Sequence, residues 1–96
     1  MTLHFNCGDF KPNLVETSAL LGGVQYKFRF ENGYGASVIK HVGSYGCLDD
    51  LWELAVIKFE ESGEWNLCYT TSITDDVIGY LTDSEVRDIL QKIKEL

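Results

Sequence analysis

Two adjacent aspartate pairs, Asp49-Asp50 and Asp75-Asp76, are the densest groups in this chain that could do chemistry. Converging carboxylates carry out acid and base work or hold a divalent cation. Neighbouring residues on a strand point to opposite faces, so each pair offers only one donor to a shared site. The plainer reading is turn carboxylates, with Thr74 or Asp75 capping the short turn that enters Val77-Ile78. His4 and His41 stand apart from any nucleophile, and no GxSxG or comparable arrangement occurs. The glycines of Gly33-Tyr34-Gly35 and Gly43-Ser44-Tyr45-Gly46 lack both the strand-loop-helix setting and the lysine of a phosphate-binding loop. Cys7, Cys47 and Cys68 are odd in number and widely spaced, which fits free, buried thiols in a reducing compartment better than a disulfide frame or metal site. No catalytic residue, metal or cofactor is therefore expected.

The elements that position these residues are legible in part. Val24, Tyr26, Phe28 and Phe30 alternate with Gln25, Lys27 and Arg29, the pattern of a half-buried strand. It leads into Asn32-Gly33, the pair favoured in a type I′ hairpin turn, and a second strand follows over residues 36–42. Val38 and Ile39 are both apolar, so the length of the turn decides which of them faces the core. Residues 51–59 are apolar on both faces, as in a central strand. A charged, glycine-containing loop at 60–64 then introduces a fourth strand with Trp65, Leu67 and Tyr69. Thr82 and Glu85 form a capping box ahead of an amphipathic helix over 83–95, whose stripe is Val86, Ile89, Leu90, Ile93 and Leu96. Leu3–Phe5 offers an additional edge strand, and Leu14–Leu21 is too mixed to assign. The expectation is a single α+β domain over 1–96: a four- or five-stranded antiparallel meander with the helix packed on one face. Tyr26, Phe28, Phe30, Trp52 and Trp65 are expected in the core.

Eight Lys and Arg against fifteen Asp and Glu leave a net charge of −7. Such a balance repels phosphate backbones and anionic lipid and favours basic partners. No apolar run is long enough to span a bilayer, and the first residues lack a leader pattern. In a meander, alternate loops share an end. Glu31, Glu60, Glu61 and Glu64 fall at one end, and Asp49 and Asp50 are expected to meet Asp75, Asp76 and Asp83 at the other. Lys27 and Arg29 project from the polar side between them, with Lys40 and Lys58 nearby. Tyr34 and Tyr45, flanked by glycine in loops, are expected as exposed anchors. The candidate partner-binding set is Tyr34, Tyr45, Asp49, Asp50, Asp75 and Asp76.

The segments ENGYGASVIKH (31–41), LWELAVIKF (51–59) and ITDDVIGYL (73–81) resemble a group of small uncharacterised proteins of tailed bacteriophages. The resemblance covers about the C-terminal two thirds of the chain and brings no assigned site residues. It implies a phage product in the cytoplasm of a bacterial host. By analogy, small acidic phage proteins without enzymatic signatures often act as stoichiometric inhibitors of host or defence machinery, anti-CRISPR proteins and nuclease inhibitors among them. The expected function is a non-catalytic accessory protein, monomeric or a homodimer, that binds and inhibits a bacterial host protein with a basic surface. A self-associating structural or assembly protein of the phage is the alternative.

Overall fold

The structure, a computed structural model, describes residues 2–96. Six strands form one antiparallel sheet: β1 (Leu14–Leu20), β2 (Gly23–Arg29), β3 (Tyr34–Lys40), β4 (Trp52–Phe59), β5 (Trp65–Leu67) and β6 (Ile78–Leu81). The first five follow one another as a meander, and a single helix, α1 (Asp83–Lys94), packs across one face. Short 3-10 turns occupy Gly8–Asn13 and Cys47–Asp49. The α+β meander with a covering helix is therefore the observed architecture.

The covered face is built as the alternation requires. Tyr26 and Phe28 of β2, Ala36 and Val38 of β3, and Trp52, Leu54 and Val56 of β4 meet Val86, Leu90 and Ile93 of α1, all buried. Each of the larger side chains among them stabilises the fold by about 1.5–3 kcal/mol. The helix starts on the expected capping box: Thr82 Oγ1 accepts from the Glu85 amide at 3.2 Å, and Glu85 Oε1 accepts from the Thr82 amide at 3.0 Å. Its far end is tied to the β2–β3 turn, where Asn32 Nδ2 donates to the carbonyls of Ile93 (2.8 Å) and Lys94 (3.2 Å).

Turn geometry settles the parity of β3. The turn after β2 is a three-residue loop: the Gly33 amide donates to Phe30 O at 3.1 Å, the Phe30 amide to Tyr34 O at 2.8 Å, and only Gly33 has positive φ, at 87°. This register sets Val38 opposite Tyr26 on the core face and Ile39 opposite Gln25 on the other. Asn32-Gly33 is thus not the expected type I′ turn. That geometry occurs instead at Leu21-Gly22, where Leu20 pairs with Gly23 and both central residues have positive φ (45° and 78°).

Residues 2–7 add no strand. Phe5 is inserted edge-on among Tyr26, Phe28 and Trp52, with ring centroids 5.5–6.0 Å apart, so residues 3–7 act as a strap over the end of the core. The strap is fastened by Asp83, whose carboxylate accepts from the Asn6 amide (3.0 Å) and Trp52 Nε1 (2.7 Å). Asp83 is consequently an internal tie and not part of an acidic tip.

Among the described residues no element covers the second sheet face, yet Ala55 and Ile57 are buried there. Long side chains supply the cover. Lys27 lies over the Trp65 ring at 4.5 Å and Arg29 over Phe59 at 4.8 Å, reaching across the small Gly35 and Ser37 of β3. Three strand spacings, about 14 Å, separate β2 from β5 in a flat sheet, so this contact also reports a strong curl. Gly35 is needed in this layer: a Cβ there would collide with the Phe28 carbonyl and stand 2.9 Å from Phe59 Cε2. Trp65 therefore belongs to this second layer and not, as expected, to the core. Lys40 and Lys58 lie on the helix side of the sheet, away from Lys27 and Arg29.

Candidate functional site

The turns of the meander divide the sheet into two ends. The β1–β2 turn and the β3–β4 connection form one, here the loop end; the β2–β3 and β4–β5 turns form the other, the hairpin end. Exposed apolar side chains gather at the loop end. Leu21 is 71% exposed, Val42 77%, Tyr45 60%, Tyr80 58%, and Leu48 wholly so. Gly22 lies against Val42, joining the β1–β2 turn to the long connection. Val42, Tyr45, Leu48, Asp49 and Tyr80 line one cleft of about 190 Å³. Contiguous apolar surface of this kind marks contact sites.

The backbone at this end is strained. Among the described residues, only Leu21, Asp50 and Tyr80 are non-glycine residues with positive φ (45°, 59° and 59°), and all three belong here. A left-handed conformation costs an L-residue roughly 1–2 kcal/mol, and bulky side chains adopt it least readily. Its neighbours hold Tyr80 there. A Cβ on Gly46 would come within 3.0 Å of the Tyr80 backbone, and one on Gly79 within 2.5 Å of Tyr45 Cβ, so both glycines permit the close packing of the two tyrosine segments.

The connection is also ordered from within. Ser44 Oγ accepts from the His41 amide (3.1 Å) and donates to the His41 carbonyl (2.9 Å), while His41 Nδ1 accepts from the Gly43 amide at 3.0 Å. Ser44 thus bonds to the backbone of His41 and not its ring, so the two make no nucleophile–base pair. Glu53 Oε1 fixes the Tyr45 amide at 3.0 Å, and the Leu51 and Asp49 amides both donate to Gly46 O. This internal bonding presents Leu48 and Tyr45 at little ordering cost to a binding event.

The six residues singled out from the sequence have different fates. Tyr45 and Asp49 stand exposed at the cleft. Tyr34 does not: it is half-buried against the core, with Lys58 Nζ 5.2 Å from its ring. Asp50 stays at the surface but is tied to the fold, its Oδ1 accepting from the Thr2 amide at 2.6 Å and from Lys40 Nζ at 3.0 Å. These hydrogen bonds, those from Thr2 foremost and then that of the lysine, hold the Asp50 carboxyl well below the usual carboxylate range. Lys40 is 2% exposed, stacks on Trp52 at 4.1 Å, and also donates to the carbonyls of Thr2 and Asp50, each at 2.9 Å. It is structural, and not the available surface cation expected.

Asp75 and Asp76 do not join Asp49. Strand β5 ends after three residues, and residues 68–77 leave the middle of the β4 edge before β6 resumes pairing with that same edge. The excursion turns towards the C-terminal half of α1, where Ser72 and Ile73 share a cleft with Ile89, Lys92 and Leu96. Asp76 Oδ1 accepts from the Val77 amide at 2.7 Å, and Thr74 Oγ1 from the Asp76 amide at 3.1 Å, the turn role weighed above. No group of three or more His, Cys, Asp or Glu side chains suited to a metal ion occurs among the described residues. Leu48 and Tyr80 were missed by sequence reasoning. Leu48, between Cys47 and Asp49, carries a faint signal, an apolar residue in a glycine-rich, acidic connection; Tyr80 carries none, because its exposure depends on the left-handed backbone.

The cysteines offer no reactive centre to this end. Burial foremost pushes the Cys7 thiol up, which disfavours the thiolate. Cys47 is buried; Cys68, on the far edge, is drawn down by hydrogen bonds from Thr70. No helix among the described residues is long and apolar enough to cross a membrane. Comparison with family models, with curated proteins and with solved structures finds no match to the chain, so the resemblance to phage proteins stands on the quoted segments alone.

Proposed function

We propose that this chain is a non-catalytic binding protein that docks on a bacterial protein through its loop end, and that it serves a phage by inhibiting that host or defence protein. One observation carries the reading: the most exposed of the large apolar residues and the strained non-glycine residues coincide at one end of the sheet. Strain of this kind persists where function requires the conformation, and apolar anchors beside tyrosines are the usual centre of a protein interface. The net charge of −7 favours a basic partner, such as a nuclease or CRISPR effector, and speeds encounter with it. The phage setting and the bacterial cytoplasm rest on the resemblance of residues 31–41, 51–59 and 73–81.

Affinity capture from bacterial lysate tests the docking role, with the wild-type chain, Leu48→Asp and the far-face variant Leu67→Asp compared side by side. A stoichiometric basic partner retained by wild type and Leu67→Asp but lost by Leu48→Asp is the expected result. Equal capture by all three, or by none, overturns it. Inhibition is then read as restored phage plating on cells carrying the captured defence protein.

The alternative of a self-associating assembly protein has one observation in its favour: β1 is a seven-residue strand paired on one side only. A concentration-independent mass of 10.9 kDa by light scattering removes it.

A further inference from the structure

We infer that the cleft between Tyr45, Leu48, Asp49 and Tyr80 is an arginine socket, receiving one arginine side chain that projects from the partner protein. The inference rests on the docking role of the loop end and names the chemistry that end selects.

Size comes first. A cleft of about 190 Å³ admits one side chain and not a folded segment. Val42, Leu48, Tyr45 and Tyr80 give it apolar and aromatic walls, Gly43, Ser44 and Gly46 complete a lining about as polar as it is apolar, and the carboxylate of Asp49 is the one charged group in it. That carboxylate is exposed and enters neither of the two ion pairs formed among the described residues, Lys27 with Glu16 and Lys40 with Asp50. Lys40 and Lys58, equally near to Asp49 in sequence, are both placed elsewhere: Lys40 is buried and engaged by Thr2 and Asp50, and Lys58 lies by Tyr34 at the hairpin end. Among the described residues no lysine or arginine pairs with Asp49, so its carboxylate is open to a cation supplied by a partner protein.

The protein's own cations point the same way. Four of its eight Lys and Arg side chains lie over aromatic rings: Lys27 on Trp65, Arg29 on Phe59, Lys40 on Trp52 and Lys58 on Tyr34. Tyr45 and Tyr80 carry no such cation among the described residues, although both rings are exposed and border the cleft. An aromatic wall beside a free carboxylate attracts a cation twice, through the ring quadrupole and through charge.

Arginine fits better than lysine. A planar guanidinium stacks flat on a tyrosine ring while its fork donates two N–H groups to one carboxylate, whereas an ammonium is compact and strongly hydrated. Arginines that contact nucleic-acid phosphates stand on protein surfaces in this way, which links the socket to a nucleic-acid-handling partner. Acidic side chains are repelled by Asp49.

The test is an amide-resolved NMR titration of the whole chain with blocked arginine, blocked lysine and blocked citrulline, the last being the neutral isostere of arginine. Arginine is expected to shift the amides of Ser44, Tyr45, Leu48, Asp49 and Tyr80, and to bind about five- to tenfold more tightly than citrulline, with lysine between. Asp49→Asn should bring arginine down to the citrulline level while leaving the remaining spectrum in place; Tyr45→Ala is the second variant and should weaken all three ligands. Equal binding of arginine and citrulline, lysine matching arginine, shifts confined to other regions, or no shifts at all overturn the socket. Capture of a partner through Leu48 without arginine shifts removes only this inference. Arginine shifts without a captured partner leave the socket and remove the docking role.

Discussion

The two ends of the sheet are built on opposite terms. At the hairpin end, the β2–β3 and β4–β5 turns share one design: a three-residue loop closed by a glycine at positive φ, Gly33 (87°) and Gly63 (91°), each in open space. Glutamates coat this end, and Asn32 ties it to the terminus of α1. At the loop end, leucine, aspartate and tyrosine take the left-handed conformation, and apolar side chains face solvent. One end is relaxed, polar and suited to register; the other stores strain and exposes contact surface. Positive φ is left to glycine alone at the hairpin end and is shared with leucine, aspartate and tyrosine at the loop end, and that difference points to function there.

The largest expected contrast is between two glycines of similar φ. Gly46→Ala places a Cβ 3.0 Å from the Tyr80 backbone and should destabilise the fold by roughly 2–3 kcal/mol. Gly33→Ala meets nothing within 4 Å and should cost about 1 kcal/mol, as Gly63→Ala should. Denaturant melts of the three variants measure this, and equal losses would erase the contrast between the ends. Leu48→Asp should lower affinity for a captured partner by about tenfold or more. Because Leu48 is fully exposed, stability should stay within about 0.5 kcal/mol.

Leu21→Asn supplies the residue that a type I′ turn prefers and should stabilise the chain by about 1 kcal/mol. A loss of stability would mean that the leucine side chain supports the turn. Asp50 gives the smallest effect. Its folded-state pKa is depressed, so its contribution is complete above the ordinary carboxylate value, about pH 4, and is lost as pH falls below it. Asp50→Asn should therefore lower stability at neutral pH and flatten the decline of stability with acid, read from thermal melts between pH 2 and 7.

Much of the frame was legible from the sequence. Strand β2 and helix α1 announce themselves by period, β3 by following the turn after β2, and β4 by an apolar run on both faces, while Thr82 with Glu85 fixes the helix start. Strand β1 hides because it lies at an edge: Glu16, Thr17 and Ser18 answer to solvent and pairing more than to a core. The turn chemistry misleads at Asn32-Gly33, because a bulged three-residue loop uses only the glycine, and at Leu21-Gly22, because leucine there defies local preference. The site was half legible. Asp49 and Tyr45 lie in the connection that glycines mark, but the meeting of the acidic pairs assumed a full-length β5, and the early end of that strand sends Asp75 and Asp76 elsewhere.

Photo-crosslinking addresses the docking end most directly, with Leu48 and then Glu61 replaced by a light-activated phenylalanine analogue in bacteria expressing the chain. The account predicts a covalent adduct to a basic host protein from position 48 and none from position 61. An adduct from position 61 alone, or equal adducts from both, would contradict it.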